Sequence, residues 1–196
     1  MTKRPRLTFA PVTPDRWDDF EALFGARGAC AGCWCMWFRG TRKVYVKNQG
    51  AGNKRRMKKL IMGGEQPGIM AYHGDEAVGW CAVAPRETYA ALARSRIMAP
   101  VDDKPVWSVT CVFVRKDFRR RGVSERLLDE AARFAASRGA RIVEGYPVEA
   151  RKPDEPDPFM YHGSASAFRT AGFEEVLRRT PSRPVMRRSV RPPRKK

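Results

Sequence analysis

Residues 105–136 constrain the fold of this chain more than any other segment. A continuous apolar run, VWSVTCVFV, occupies residues 106–114, and the loop FRRRGVS follows at residues 118–124. Leu127, Leu128 and Ala131 then recur at helical spacing. Because the run is too continuously apolar for a half-exposed strand, we predict a central strand covered on both faces, followed by a helix over residues 124–138.

The loop between this strand and this helix has the chemistry of a phosphate site. Backbone N–H groups and the positive end of a helix dipole converge where a strand turns into a helix. Neither G-x-x-x-x-G-K-[ST] nor a G-x-G-x-x-G after a strand occurs in the sequence, which excludes the Walker loop and the dinucleotide fingerprint. The pattern present is R-x-x-G-x-S. The alternative interpretation is a solvated basic turn before an ordinary helix.

This pattern resembles the acyl-CoA signature of the GNAT superfamily of N-acetyltransferases. In that family the loop amides hold the CoA pyrophosphate, and the preceding strand pairs with the pantetheine arm. The resemblance implies pantetheine contacts at Phe113 and Val114. It implies pyrophosphate contacts at the loop residues Arg119, Arg120, Arg121, Gly122, Val123 and Ser124.

The order of the other predicted elements also resembles this family. We predict a strand at residues 7–12, a helix from Thr13, a helix capped by Asn53, and a hairpin around Gly74-Asp75. We further predict a short helix at 86–94, a strand at 141–146 parallel to the central one, a helix at 164–170 and two closing strands. The segment AFRTAGF at 167–173 resembles the family's A-F-Y-x-x-x-G-F.

The predicted fold class is therefore α/β (α+β). It has a central mixed, mostly antiparallel sheet with a splayed parallel pair in its middle, and helices on both faces. We expect a single GNAT domain over residues 1–190, a proline-rich loop at 151–158, and a basic, disordered tail at 191–196.

Two positions depart from the family in ways that affect the chemistry. Ser108 stands where the histone-modifying branch carries a glutamate base, and Phe168 stands where a general-acid tyrosine often lies. Tyr161 and Tyr146 are the replacement candidates for the acid. Glu144 and Glu149, which flank the segment GYPV, and His162 are candidates for the base. Proton removal through ordered water would require none of them.

The aromatic, cysteine-containing segment CAGCWCMWF begins at Cys30. Cys30, Cys33 and Cys35 have a spacing compatible with zinc, with a redox pair or with reduced packing residues, and we predict no metal site. In GNAT folds this region borders the acceptor pocket. The resemblance therefore implies that Trp34, Trp37 and Phe38 form a wall of the substrate site; the alternative is that they pack the core.

A fourth cysteine, Cys111, lies within the central strand. By strict alternation it shares a face with Trp107, Val109 and Phe113, while Ser108, Thr110, Val112 and Val114 share the other. An apolar-flanked thiol has a raised pKa, so we predict a packing residue rather than an acyl-carrying one.

The formal net charge of +18 indicates an acidic partner or a solvated basic surface. The basic residues concentrate in 54–59, 115–121 and 178–196. Nucleic acid, an anionic substrate and a membrane surface are candidates, although no nucleic-acid motif occurs. No apolar run approaches the ~18 residues of a membrane span, and the N-terminus lacks an export signal, so we expect a cytoplasmic protein.

The sequence thus predicts an N-acetyltransferase. With acetyl-CoA as co-substrate, the acetyl group would pass to a primary amine of a small molecule or protein by direct attack. The alternatives are a CoA-binding sensor without turnover and a basic nucleic-acid-binding module. We also expect a homodimer that forms through residues 173–190.

Overall fold

The structure, a computed structural model, describes residues 4–149 and 161–193. The strands are β1 Thr8–Pro11, β2 Gly68–His73, β3 Glu76–Pro85, β4 Trp107–Val114, β5 Ile142–Gly145, β6 Glu174–Thr180 and β7 Arg183–Ser189. The helices are α1 Trp17–Phe24, α2 Arg42–Lys47, α3 Ala51–Met62, α4 Val123–Ser137 and α5 Ala165–Thr170. The predicted loop 151–158 and tail residues 194–196 lie outside the described residues.

These strands form one sheet in the order β1-β2-β3-β4-β5-β7-β6. Its neighbours pair antiparallel except β4 and β5, which are parallel in its middle. On one face α4 buries Leu127 and Leu128 against the strands. On the other face α1 and α3 bury Phe20 and Met57 over Trp80. The predicted fold class is confirmed.

Local chemistry explains most helix and turn positions. Gly74, at φ +59°, turns the β2–β3 hairpin at its predicted place. The apolar stripe of α4 faces the sheet, and Gly139, at φ +90°, follows the end of the helix as expected. In the part of the chain that the structure describes, no helix has both the length and the apolar character that a bilayer crossing requires.

Two predicted details are wrong, and one helix was not predicted. A helix not foreseen in the sequence, α2, follows Thr41, whose hydroxyl accepts a hydrogen bond from the Val44 N–H at 3.2 Å. Asn53 is the third residue of α3, not its cap. The connection at 86–94 holds two short 3-10 turns, Arg86–Thr88 and Leu92–Arg94, instead of one helix.

A β-bulge interrupts β4 at Thr110. Ala82 pairs with Cys111 and Val83 pairs with Val109, so Thr110 has no partner in β3. The extra residue shifts the alternation: Val109, Val112 and Val114 pack on the α4 side, and Cys111 and Phe113 pack on the opposite side. The strict alternation predicted for this strand is therefore wrong beyond Val109. The bulge also lies where β4 stops pairing with β5, at Val109 and Gly145.

Candidate functional site

The loop before α4 presents backbone donors at the start of the helix. Arg120 and Gly122 both have left-handed backbones, with φ +57° and +76°. Among residues 4–149 and 161–193, the N–H groups of Gly122, Val123 and Ser124 have no hydrogen-bond acceptor. The first turn of a helix leaves such donors available to an anion. This is the arrangement that the sequence predicts for a pyrophosphate.

Charged side chains surround these donors. The Arg121 guanidinium lies 5.7 Å from the Phe118 ring centroid. A Cβ placed on Gly122 would lie 3.6 Å from Arg4 Nε and 3.4 Å from Glu125 Oε2, so side chains of both signs reach the loop. Arg119 donates from Nε to the Val114 carbonyl at 3.0 Å, which fastens the loop to the end of β4.

Beyond the bulge, β4 diverges from β5 and a different segment takes the place of β5. The Val112 N–H donates to the Tyr161 carbonyl at 2.8 Å, and the Arg115 N–H donates to Val78 of β3 at 2.9 Å. Because N–H directions alternate along a strand, the Val114 N–H points away from β3, toward the gap opened by the divergence. Of the two predicted pantetheine contacts, Val114 thus offers its main chain to this gap.

A cavity of about 210 Å³ opens beside this part of β4. It is lined by Phe24, Ala29, Cys30, Ala31, Cys33, Cys35, Trp37, Phe38, Tyr45, Thr110, Cys111, Phe113 and Tyr161. Four residues predicted for three different roles meet here: Trp37 and Phe38 for substrate, Phe113 for cofactor, and Tyr161 for catalysis. Thr110 and Cys111 were missed because the sequence gives no signal of the bulge that turns them into the cavity.

The loop at residues 28–35 forms one wall of the cavity in a strained conformation. Ala29, Ala31, Trp34 and Cys35 all have positive φ, between +43° and +60°. Such strain persists only where the surroundings impose it. The Asn53 amide imposes it in part, donating to the Gly32 and Tyr45 carbonyls at 3.4 Å each.

Trp34 departs from its predicted place in the cavity wall. Its side chain is 2% exposed and stacks on Phe24 at 5.5 Å between ring centroids. A Cβ on Gly28 would lie 2.2 Å from the Trp34 indole nitrogen, so this glycine makes room for the ring. Trp34 therefore packs the core and holds the loop from behind.

The four cavity thiols are not equivalent. Hydrogen bonds donated by the Cys111 thiol and, at 2.9 Å, by the Trp80 indole lower the pKa of Cys35, against the opposing effect of burial. The same bond raises the pKa of Cys111. Burial raises the pKa of Cys33 to about 11. Within the described residues, no three His, Cys, Asp or Glu side chains are placed to hold a metal ion.

Glu144 and Tyr146 lie in a buried ion network where β4 and β5 are paired. The Glu144 side chain is 0% exposed; it accepts from Arg86 at 3.1 Å and from Arg187 Nε at 2.7 Å. Tyr146 donates to the same carboxylate at 2.6 Å and shares a 3.0 Å hydrogen bond with Ser108. Burial, followed by the Glu144 charge, raises the pKa of Tyr146. Both predicted catalytic groups are thus occupied by the protein itself.

Tyr161 and His162 lie beside the cavity. Burial raises the pKa of the half-buried Tyr161, which keeps its hydroxyl protonated. Burial, with a smaller effect of Arg183, lowers the pKa of His162 to about 3, so its imidazole is neutral at physiological pH. Its Nδ1 has no hydrogen-bond partner among the described residues. Phe168 is buried against Gly145 and packs the core.

A model of the acetyltransferase (GNAT) family matches residues 33–153, which include β4, the loop before α4 and eight of the thirteen described residues that line the cavity. The chain belongs to the GNAT acetyltransferase family. Members of this family use acetyl-CoA as acetyl donor. A search of curated proteins finds no match to the chain.

Solved structures agree with this GNAT assignment at the level of the fold. A GNAT acetyltransferase of Listeria monocytogenes superposes with a TM-score of 0.58 at 7% identity, covering 95% of this chain and 96% of that one. The PaiA N-acetyltransferase of Thermoplasma acidophilum in complex with coenzyme A gives 0.52 at 9% identity, covering 94% and 99%. An aminoglycoside N-acetyltransferase in complex with CoA gives 0.53 at 15% identity, covering 92% and 95%.

Proposed function

We propose that this GNAT protein transfers the acetyl group of acetyl-CoA to a primary amine by direct attack of the amine on the thioester carbonyl. The observation that carries the proposal is that two sites, a group of N–H donors and a cavity, lie along the same strand. The N–H donors of residues 122–124 follow the end of β4, and the uncharged cavity opens beside its bulge. A thioester carrier bound at the first would extend toward the second.

At the donor end, the proposed contacts are those that the sequence suggests. The N–H groups of Gly122, Val123 and Ser124 would bind the pyrophosphate, with Arg119, Arg120 and Arg121 supplying positive charge around it. The main chain of Val114 would pair with the pantetheine arm, and Phe113, whose main chain is paired with Trp80 of β3, would contact the arm through its side chain. Acetyl-CoA supplies an activated acetyl group at the end of that arm.

At the acceptor end, Tyr161 is the proposed general acid. Tyr161 lines the cavity and its hydroxyl stays protonated, so it can protonate the departing CoA thiolate. Within residues 4–149 and 161–193, no carboxylate lines the cavity, and Glu144 is engaged by two arginines. We therefore assign Glu144 and Tyr146 to positioning β5, and assign removal of the amine proton to water. His162, being neutral and buried, is the remaining protein base.

The proposal is tested by calorimetric titration of acetyl-CoA into Gly122→Asp and its matched control Gly122→Asn. Both side chains tolerate a left-handed backbone and cap helices well, so both variants should fold. They differ only in charge. We expect Asp to weaken binding by roughly 100-fold and Asn by only a fewfold, because a carboxylate would stand beside the pyrophosphate. Equal affinity of the two variants would refute the site.

The double variant Arg121→Ala, Gly122→Asp should abolish binding altogether. Binding of acetyl-CoA without acetylation of any amine in a broad panel would instead favour the sensor function.

The homodimer through residues 173–190 is a further part of the proposal, since β6 lies at the edge of the sheet with Val176 44% exposed. Sedimentation equilibrium would test it.

A further inference from the structure

Among the residues that the structure describes, the cavity walls contain no charged side chain. Thirteen of these residues line the cavity, and none is Asp, Glu, Lys or Arg. An ammonium group taken out of water needs a carboxylate or a comparable set of acceptors to offset its desolvation. The polar side-chain groups of the described wall residues are thiols, the Trp37 indole and the hydroxyls of Thr110, Tyr45 and Tyr161, none of which carries that compensating charge.

Two arginines among the described residues, Arg39 and Arg183, add positive charge near the walls. Arg39, with only 6% of its side chain exposed, lies 5.3 Å from the Tyr89 ring, and its charge contributes to the lowered pKa of Cys35. Arg183 acts in the same direction on Tyr161 and His162. The carboxylate paired with Arg39, Glu65, is 51% exposed. The electrostatic environment of the cavity therefore opposes a second cation on the ligand.

The size and surface of the cavity fit an apolar body. Its volume of about 210 Å³ exceeds the ~150 Å³ of a cavity that binds benzene, so one ring with a short arm would fill it. Phe24, Phe38 and Phe113 supply aromatic surface inside. Trp37, 40% exposed, lies edge-on to Tyr45 at 4.8 Å.

From these observations we propose that the acceptor is a monoamine carried on an uncharged, apolar body about the size of one aromatic ring, and that polyamines are rejected. This inference rests on the proposed acetyl transfer. An uncharged wall favours the neutral form of the amine, so the proton is released to water as the amine enters. That accounts for a central strand with Ser108, rather than a glutamate, at the position of the family's base.

The first test compares hexylamine with 1,6-diaminohexane as acceptors, two chains of equal length that differ by one terminal ammonium. We expect kcat/KM for hexylamine to be higher by roughly 100-fold, and 2-phenylethylamine to resemble hexylamine. Equal or better turnover of the diamine would overturn the acceptor class and leave the proposed acetyl transfer standing.

Binding of the amine can be followed without turnover. Cys30 is exposed and lines the cavity, so its alkylation by iodoacetamide, located by mass spectrometry, reports whether the cavity is filled. We expect hexylamine to slow the reaction and 1,6-diaminohexane to leave it unchanged. Protection by the diamine would overturn the inference. This result does not depend on acetyl-CoA, so it separates failure of the acceptor class from failure of the proposed function.

A matched pair of variants tests the physical cause. Cys30→Asp adds a carboxylate at the cavity wall, and Cys30→Asn changes the shape equally without charge. We expect kcat/KM for 1,6-diaminohexane to be about tenfold higher in the Asp variant than in the Asn variant. Equal values in the two variants would show that the absence of a carboxylate does not set the specificity.

Discussion

The two ends of the β4–β5 pair differ in the charged side chains that they contain. Where the strands are paired, around Ser108 and Glu144, a buried carboxylate is held by two arginines and a tyrosine. Two residues further along β4, where the strands diverge, Thr110 and Cys111 line a cavity to which the described part of the chain contributes no charged side chain. One strand therefore passes from a charged, fully hydrogen-bonded interior to an uncharged opening.

This difference shows which acidic residues are available for chemistry. Buried charges are tolerated when ionic partners and hydrogen bonds satisfy them. Glu144 meets that condition, and its oxygens already accept bonds from Arg86, Arg187 and Tyr146. The cavity, in contrast, can accept a ligand because the side chains that form its walls are not engaged in such an ion network. We therefore interpret the paired end as structural and the divergent end as the reacting site.

The largest expected effect comes from breaking the ion network. Glu144→Ala leaves the buried Arg86 without a carboxylate and leaves Arg187 paired with Asp102 alone. The change should cost about 3 kcal/mol in the free energy of unfolding, measured by urea denaturation. Glu130→Ala is the control, since its 3.4 Å pair with the exposed Arg133 should contribute less than ~0.5 kcal/mol. A Glu144→Ala protein of unchanged stability that lost turnover would instead identify Glu144 as the base.

The next largest effect on the free energy of unfolding is expected when the pH is lowered, because of His162 beside the cavity. Unfolded histidine takes up a proton below its ordinary pKa of 6.5, whereas folded His162 stays neutral down to about 3. The unfolded state therefore binds the extra proton in this window, and stability falls as the pH falls from 6.5 toward 3. At pH 4.5 the loss should be about 3 kcal/mol relative to neutral pH.

His162→Phe should remove this component of the pH dependence. The measurement is the free energy of unfolding at pH 7 and at pH 4.5 for wild type and variant. His73→Asn serves as control, because His73 is the other histidine of the chain and is exposed. If wild type and His162→Phe lost the same stability on acidification, His162 would not be the buried neutral group described above.

A modest effect is expected at the donor end. Glu125 Oε2 is buried without a hydrogen-bond partner among the described residues, close to the N–H donors at Gly122. Its charge opposes a pyrophosphate there, so Glu125→Gln should bind acetyl-CoA about fivefold more tightly, or about 1 kcal/mol, in calorimetric titration. Glu130→Gln, further along α4, should leave the affinity unchanged. Weaker binding by Glu125→Gln would assign that carboxylate to support of the loop.

The sequence predicted those parts of the fold that depend on local chemistry. The Arg/Gly loop, the Gly74 turn and the apolar stripe of α4 each follow from residues close together in the chain. The bulge at Thr110 could not be predicted, because it depends on the pairing of β4 with β3. The burial of Trp34 depends on how its ring packs against Phe24 and fits the space at Gly28. The ion pairs of Glu144 depend on Arg86 and Arg187, which are both far from Glu144 in the sequence.

The same limit applied to the candidate site. Trp37, Phe38, Phe113 and Tyr161 were predicted for separate roles, and only the three-dimensional structure brings them to one cavity. The roles of all predicted site residues remain predictions, which the variants above are designed to test.

The most direct measurement of the central claim is a crystal structure of the protein grown with CoA. The account predicts that the pyrophosphate accepts hydrogen bonds from the N–H groups of Gly122, Val123 and Ser124, and that the pantetheine arm runs beside Val114 toward the cavity. A pyrophosphate bound elsewhere, with those N–H groups left without a ligand, would contradict it.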